Sequence, residues 1–211
     1  MAFGFRWILS LALALVAGTA VAKPAGTVEL EGVRFADRLE LDGRGFAVNC
    51  LALLRYKRVF RAYVAALYLG DGVSPAQVLG DVPKRLELSY FWDLEGDDIG
   101  KAGDEMLARN VDAETLTRLR PRLERLNALY EDVKPGDRYS LTYLPGVGTE
   151  LALNDTRKGV IEGADFAAAY FRIWLGDNPI DASFRDELLH CEAARRRGTA
   201  KNLTGDGSAL D

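Results

Sequence analysis

The apolar positions of this chain change period several times, and each change marks an element. Val28 and Leu30, then Val33 and Phe35, alternate with polar residues and predict one strand, with Leu39 and Leu41 as its continuation. Asp42-Gly43-Arg44-Gly45 is a turn signal. Residues 46–54 and 59–69 are apolar runs rich in β-branched and aromatic residues, and they predict a hairpin with Arg55-Tyr56-Lys57-Arg58 as its bend. Ser74-Pro75 predicts a short helix to about residue 79. Residues 85–92 alternate, placing Leu86, Leu88, Tyr90 and Trp92 on one face. The spacing then turns helical over 97–109 and 113–131, the second stretch kinked or split by Pro121. Strands return over 137–144 and 149–153, and Asn154 to Gly159 reads as a turn before Val160-Ile161. Two last helices are predicted over 164–175, stopped by Gly176, and 183–195. Strands, helices, strands, helices in that order predict an α+β fold with a mostly antiparallel sheet. With no repeat and no internal linker, it is read as one domain.

The first 22 residues follow another pattern. Arg6 precedes an apolar run from Ile8 to Val16, and Ala20-Val21-Ala22 closes it with small residues. This predicts a secretory signal peptide cleaved after Ala22, the alternative being an uncleaved membrane anchor. The domain would then occupy 23–195, with 196–211 as a mobile tail, in the periplasm or secreted. No later stretch is apolar for long enough to span a bilayer. Export opens two alternatives for Cys50 and Cys191: a disulfide closing a long loop, or two buried thiols.

Composition narrows the chemistry. A net charge of −4 argues against nucleic acid as a partner. One histidine and two cysteines exclude most metal sites built from those residues, so neither a metal nor a cofactor is expected. The chain has no Gly-x-Ser-x-Gly elbow, Walker loop or dinucleotide fingerprint. His190 adjoins Cys191, and neighbours on a helix point in different directions, so the pair does not form a dyad. Arg55 is the residue that stands out. Counting by twos from Leu51 and Leu53 puts it on their face of the strand, where a guanidinium needs an anionic partner; alternatively it lies in the bend and meets water.

Residues 49–55 (NCLALLR) with 63–69 (YVAALYL) resemble the paired core strands of the chalcone isomerase-like family. Residues 86–92 (LELSYFW), 159–166 (GVIEGADF) and 173–179 (IWLGDNP) extend the likeness over about 28–190, and it looks most like a bacterial exported branch. The resemblance implies an open-faced β-sandwich: a large antiparallel sheet covered on one face by helices, with a ligand cleft between. In the plant enzymes an arginine on the first core strand steers a phenolate, and in fatty-acid-binding relatives the matching arginine holds a carboxylate. Arg55 stands at that position. Tyr63 and Ile173 stand where the plant enzymes have threonines, Leu51 and Leu53 where glycines are expected, and no tyrosine occupies the region of Asp98 and Ile99. These departures argue against chalcone cyclisation.

The expectation is therefore an exported binding module for a small apolar or carboxylate ligand, fatty-acid-like. Arg55 would be its anion anchor, with Tyr63, Tyr68, Tyr90 and Ile173 along the cleft. One alternative is an isomerase or intramolecular lyase acting on a phenolic or enone substrate through Arg55 and a tyrosine hydroxyl. The other is a non-catalytic partner of an envelope protein.

Overall fold

The computed structural model describes residues 26–57 and 59–190. The expected signal peptide, the expected tail and Cys191 lie outside the described residues. Seven strands form one antiparallel sheet in sequence order: β3 (Arg38–Leu41), β4 (Arg44–Tyr56), β5 (Phe60–Gly70), β6 (Lys84–Tyr90), β7 (Arg138–Leu144), β8 (Gly148–Leu153) and β9 (Thr156–Ile161). Two further strands, β1 (Thr27–Leu30) and β2 (Val33–Ala36), make a separate hairpin. The helices are α1 (Gly96–Ala108), α2 (Ala113–Asn127), α3 (Ala164–Tyr170), α4 (Arg172–Leu175) and α5 (Ala182–His190). The fold is α+β, a curled antiparallel sheet packed with helices.

Several boundaries differ from expectation for local reasons. The predicted single strand over 28–35 folds back on itself at Glu31-Gly32, both at positive φ (53° and 82°). That geometry matches the right-handed twist of a two-residue hairpin turn, and a glutamate at its first position gives little warning of it. Asn154-Asp155 does the same, at 50° and 63°, so β9 begins at Thr156 inside the predicted turn. The helix predicted after Ser74 is one 3₁₀ turn, Pro75–Gln77. α2 runs through Pro121 rather than splitting there, and its start is capped by Asp112, whose carboxylate accepts from the Thr115 amide at 2.7 Å. Trp92 falls beyond the end of β6 and is exposed.

The alternation along each strand sorts side chains into two cores. Tyr63, Ala65 and Leu67 of β5, Leu86 and Leu88 of β6, and Tyr139 and Leu141 of β7 face the helices. Val64, Ala66 and Tyr68 face the other way and pack with Phe35, Phe46 and Leu144 beneath the β1–β2 hairpin. Cys50 is disulfide-bonded.

Candidate functional site

A cavity of about 180 Å³ lies between the sheet and the helices. Its floor is β5 to β8, contributing Tyr63, Leu88, Tyr90, Tyr139, Leu141 and Leu151. Its roof is one face of α1 (Ile99, Ala102, Gly103, Met106) with Tyr130, Tyr170, Ile173 and Trp174. Leu94 and Ile180 line it and are also partly exposed, 40% and 37%, which makes them its mouth. The α1 spacing explains its contribution: residues three and four apart share a helix face, so 99, 102, 103 and 106 point together. Gly103 is needed for the close approach of α3. A Cβ there would sit 2.9 Å from the Tyr170 hydroxyl.

The polar atoms of this box are almost all tyrosine hydroxyls. Trp174 Nε1 donates to Tyr63 Oη at 3.0 Å, which leaves Tyr63 its own proton to give. Tyr130 and Tyr170 share a hydrogen bond, Oη to Oη, at 2.9 Å, so one of the two also keeps a free proton. Among the described residues nothing hydrogen-bonds the Tyr90 hydroxyl. Tyr139 is satisfied by its own neighbourhood: it accepts from the Glu131 amide at 2.7 Å and donates to the Glu131 carbonyl at 3.0 Å. The rings meet edge to face, with centroids 5.6 Å apart for Tyr63–Tyr90 and 5.1 Å for Tyr130–Tyr139. Burial pushes the Tyr63, Tyr90, Tyr130 and Tyr170 hydroxyls well above the usual tyrosine range, so all four are neutral donors at physiological pH.

Neither lysine nor arginine lines the cavity. Asp98, at the mouth and largely exposed, is its one charged wall residue. Lys84 is buried on the same sheet face but away from the cavity, where its ammonium donates to the Gly80 carbonyl at 2.8 Å and lies over the Tyr143 ring. Among the described residues no histidine, cysteine or carboxylate cluster is grouped as metal ligands would be.

The residues picked out from sequence divide between the two faces. Tyr63, Tyr90 and Ile173 line the cavity. Tyr68 lies on the opposite face and donates to the Ala36 carbonyl at 3.0 Å, under the β1–β2 hairpin. Arg55 is also away from the cavity. It is half exposed and its guanidinium faces Glu31 at 3.5 Å. The parity that put Arg55 with Leu51 and Leu53 holds, but those leucines pack against the second core. The partner Arg55 needed is thus a carboxylate of the chain's own β1–β2 turn. Tyr130, Tyr139, Tyr170 and Trp174 were missed. Tyr139 alternates with Leu141 as Tyr90 does with Leu88, and that signal could have found it. Nothing in the pattern pairs Tyr130 with Tyr170.

The chain matches the chalcone isomerase-like family over residues 27–190 and belongs to that family. A search of curated proteins returns no match. Among solved structures, a fatty-acid binding protein of Arabidopsis thaliana has a similar fold, with a TM-score of 0.61 at 14% identity, covering 78% of this chain and 96% of that one.

Proposed function

We propose that this protein is a binding module for a small apolar molecule, fatty-acid-like, held between the sheet and the helices with its polar end met by tyrosine hydroxyls. The observation that carries this reading is the apolar cavity itself, walled by leucines and neutral aromatic rings and open through Leu94 and Ile180. The fatty-acid binding protein of similar fold supports the ligand class. The volume is below the ~300–1,000 Å³ of pockets for drug-sized ligands. A short chain fits inside, and a longer one extends through the mouth.

The polar end follows from the electrostatics. An ionised carboxylate buried without a cation is strongly disfavoured, whereas a carbonyl, hydroxyl or protonated acid can accept from Tyr63, Tyr90 or the Tyr130–Tyr170 pair. Arg55 has no part in this reading, because its guanidinium faces Glu31 outside the cavity. An isomerase would need a base or a cation beside its substrate, and the cavity wall offers only Asp98, at the mouth. Residues 1–22 support a site of action outside the cytoplasm, which N-terminal sequencing of protein recovered from the cell envelope would test.

The test of the ligand is calorimetric titration with decanol and decanoic acid. Decanol is expected to bind at least as tightly as the acid at neutral pH, and the acid to tighten as pH falls and its neutral form accumulates. Binding of neither sinks the reading. A clear preference for the ionised acid would return a cationic anchor to the site.

A further inference from the structure

The hairpin tip between β4 and β5 presents an unusual surface. Tyr56, Val59 and Phe60 stand there 61%, 70% and 52% exposed, and Trp92 joins them at 54%. Most large hydrophobics of a folded chain are covered, and four exposed together mark a contact surface. The cluster is ordered. Phe60 and Trp92 meet edge to face at 6.2 Å, and Trp92 Nε1 donates to the Arg61 carbonyl at 2.6 Å, which fixes the indole on the tip. Leu94, two residues beyond Trp92, joins this patch to the cavity mouth. Of the other large hydrophobics exposed among the described residues, Leu94 and Ile180 line the cavity, and Val147 lies in the turn between β7 and β8.

Along the β4–β5 hairpin segment the charges have one sign, while Asp93 and Glu95 follow Trp92 on the neighbouring segment. Arg55, Lys57, Arg58 and Arg61 fall within seven residues that contain no acid, in a chain of net charge −4. Glu31 is shared by Arg55 and Arg61, at 3.5 and 3.4 Å, so it offsets one charge of that pair and not both. Lys57, at a positive φ of 49°, has its ammonium 5.2 Å from the Tyr56 ring centroid. Tryptophan, tyrosine and phenylalanine interleaved with cations are the side chains that settle at a bilayer's headgroup level. Cations there are drawn to anionic lipid. A protein partner's groove would also accept aromatic rings. A projecting hairpin whose cations flank its apolar tip, beside the opening of an apolar cavity, fits a lipid surface better.

We propose that the β4–β5 tip, with Trp92, docks the protein on an anionic phospholipid surface and sets the cavity mouth against it. Docking stands on the tip residues alone; passage of a ligand between bilayer and cavity rests on the binding reading above.

The experiment is co-sedimentation with vesicles of phosphatidylethanolamine and phosphatidylglycerol, against vesicles of phosphatidylcholine. Wild type is compared with Val59→Asp/Phe60→Asp and with Lys57→Glu. All three share residues 1–22, so any vesicle binding by that segment is common to them. Wild type is expected on the anionic vesicles, with binding weakened by salt. The double variant is expected to lose about tenfold or more, since it removes two apolar side chains from the lipid contact. Lys57→Glu is expected to lose about fivefold or more. Circular dichroism and the thermal midpoint should be unchanged in both variants, because all three side chains are exposed. Equal binding to both vesicle types, undiminished binding by the double variant, or a tip that ignores vesicles and captures a protein would each overturn the proposal. Decanol affinity in vesicle-free buffer separates the two readings: a wild type that binds vesicles but no decanol leaves docking standing and removes only the cargo.

Discussion

On β6, Leu86, Leu88 and Tyr90 face the helices, while Arg85, Glu87 and Ser89, one residue out of step, face the β1–β2 hairpin. The helix side ends in a cavity whose one charged wall residue, Asp98, stands at its mouth. The hairpin side holds a buried ionic group: Arg85 donates to Glu87 at 3.2 Å and to Thr142 at 3.0 Å, and Arg138 donates to the other Glu87 oxygen at 2.8 Å. Arg138 also reaches the Arg34 carbonyl at 2.7 Å and lies over the Phe35 ring. The same strands thus carry both environments, separated by the thickness of one sheet. Buried Arg85 of β6 and partly buried Arg138 of β7 are both met by Glu87 on the side away from the cavity. What is left for a ligand is hydroxyl groups and apolar wall.

Alkaline pH should have the largest effect, most of it from the helix side. Tyr63, Tyr90, Tyr130, Tyr139, Tyr143 and Tyr170 on the helix side have their hydroxyls raised above the usual value near 10, and burial raises Tyr68 on the hairpin side as well. The native state holds these protons more tightly than the unfolded chain. Their contribution to stability is therefore full below pH 10 and lost as pH rises beyond it. Lys84 acts in the opposite sense, because burial lowers it to about 8. Its contribution grows as pH rises from about 8 towards the ordinary lysine value and is absent below. Thermal midpoints are expected to hold or rise slightly from pH 8 to 10 and then fall steeply, with the tyrosinate absorbance of these buried side chains appearing only on unfolding. Gradual ionisation of these tyrosines without loss of fold would show the cavity to be wet.

Glu87→Ala removes the carboxylate shared by two arginines, and Arg85 is only 8% exposed. Breaking one partner of such a buried pair costs about 3–5 kcal/mol, read as a shift of the urea midpoint. Decanol affinity should not change. If it falls with stability, the two faces are not independent.

Ile173→Ala acts on the cavity side. Ile173 is only 2% exposed, and truncation of such a side chain costs about 2–4 kcal/mol. The enlarged cavity is expected to move the preferred alcohol to a longer chain, checked by titration across a homologous series. An unchanged preference would mean that the ligand does not reach α4.

Arg55→Ala should do least. Its pair with Glu31 is long and solvent-exposed, so stability should change by less than about 0.5 kcal/mol and ligand affinity not at all. A tenfold loss of affinity would restore the anchor role that the family resemblance implied for it.

Family, order of elements and the parity of the strands were legible in the chain before it folded. Alternation is a local property, set by a backbone that turns successive side chains to opposite sides. It placed Arg55 with Leu51 and Leu53, and Tyr90 with Leu86 and Leu88, but the expected cleft joined Arg55 and Tyr68 to Tyr63 and Tyr90, which the structure puts on opposite faces of the sheet. It could not say which face the helices would cover. That was decided by the path of the chain after β6 and after β9, and it gave Arg55 to the β1–β2 turn and Tyr63 to the cavity. The Tyr130–Tyr170 hydroxyl pair is likewise a tertiary product. It joins residues 40 apart in sequence, and it forms because Gly103 leaves room for Tyr170 against α1. Periodicity tells a side chain which way to point; only packing decides what it meets there.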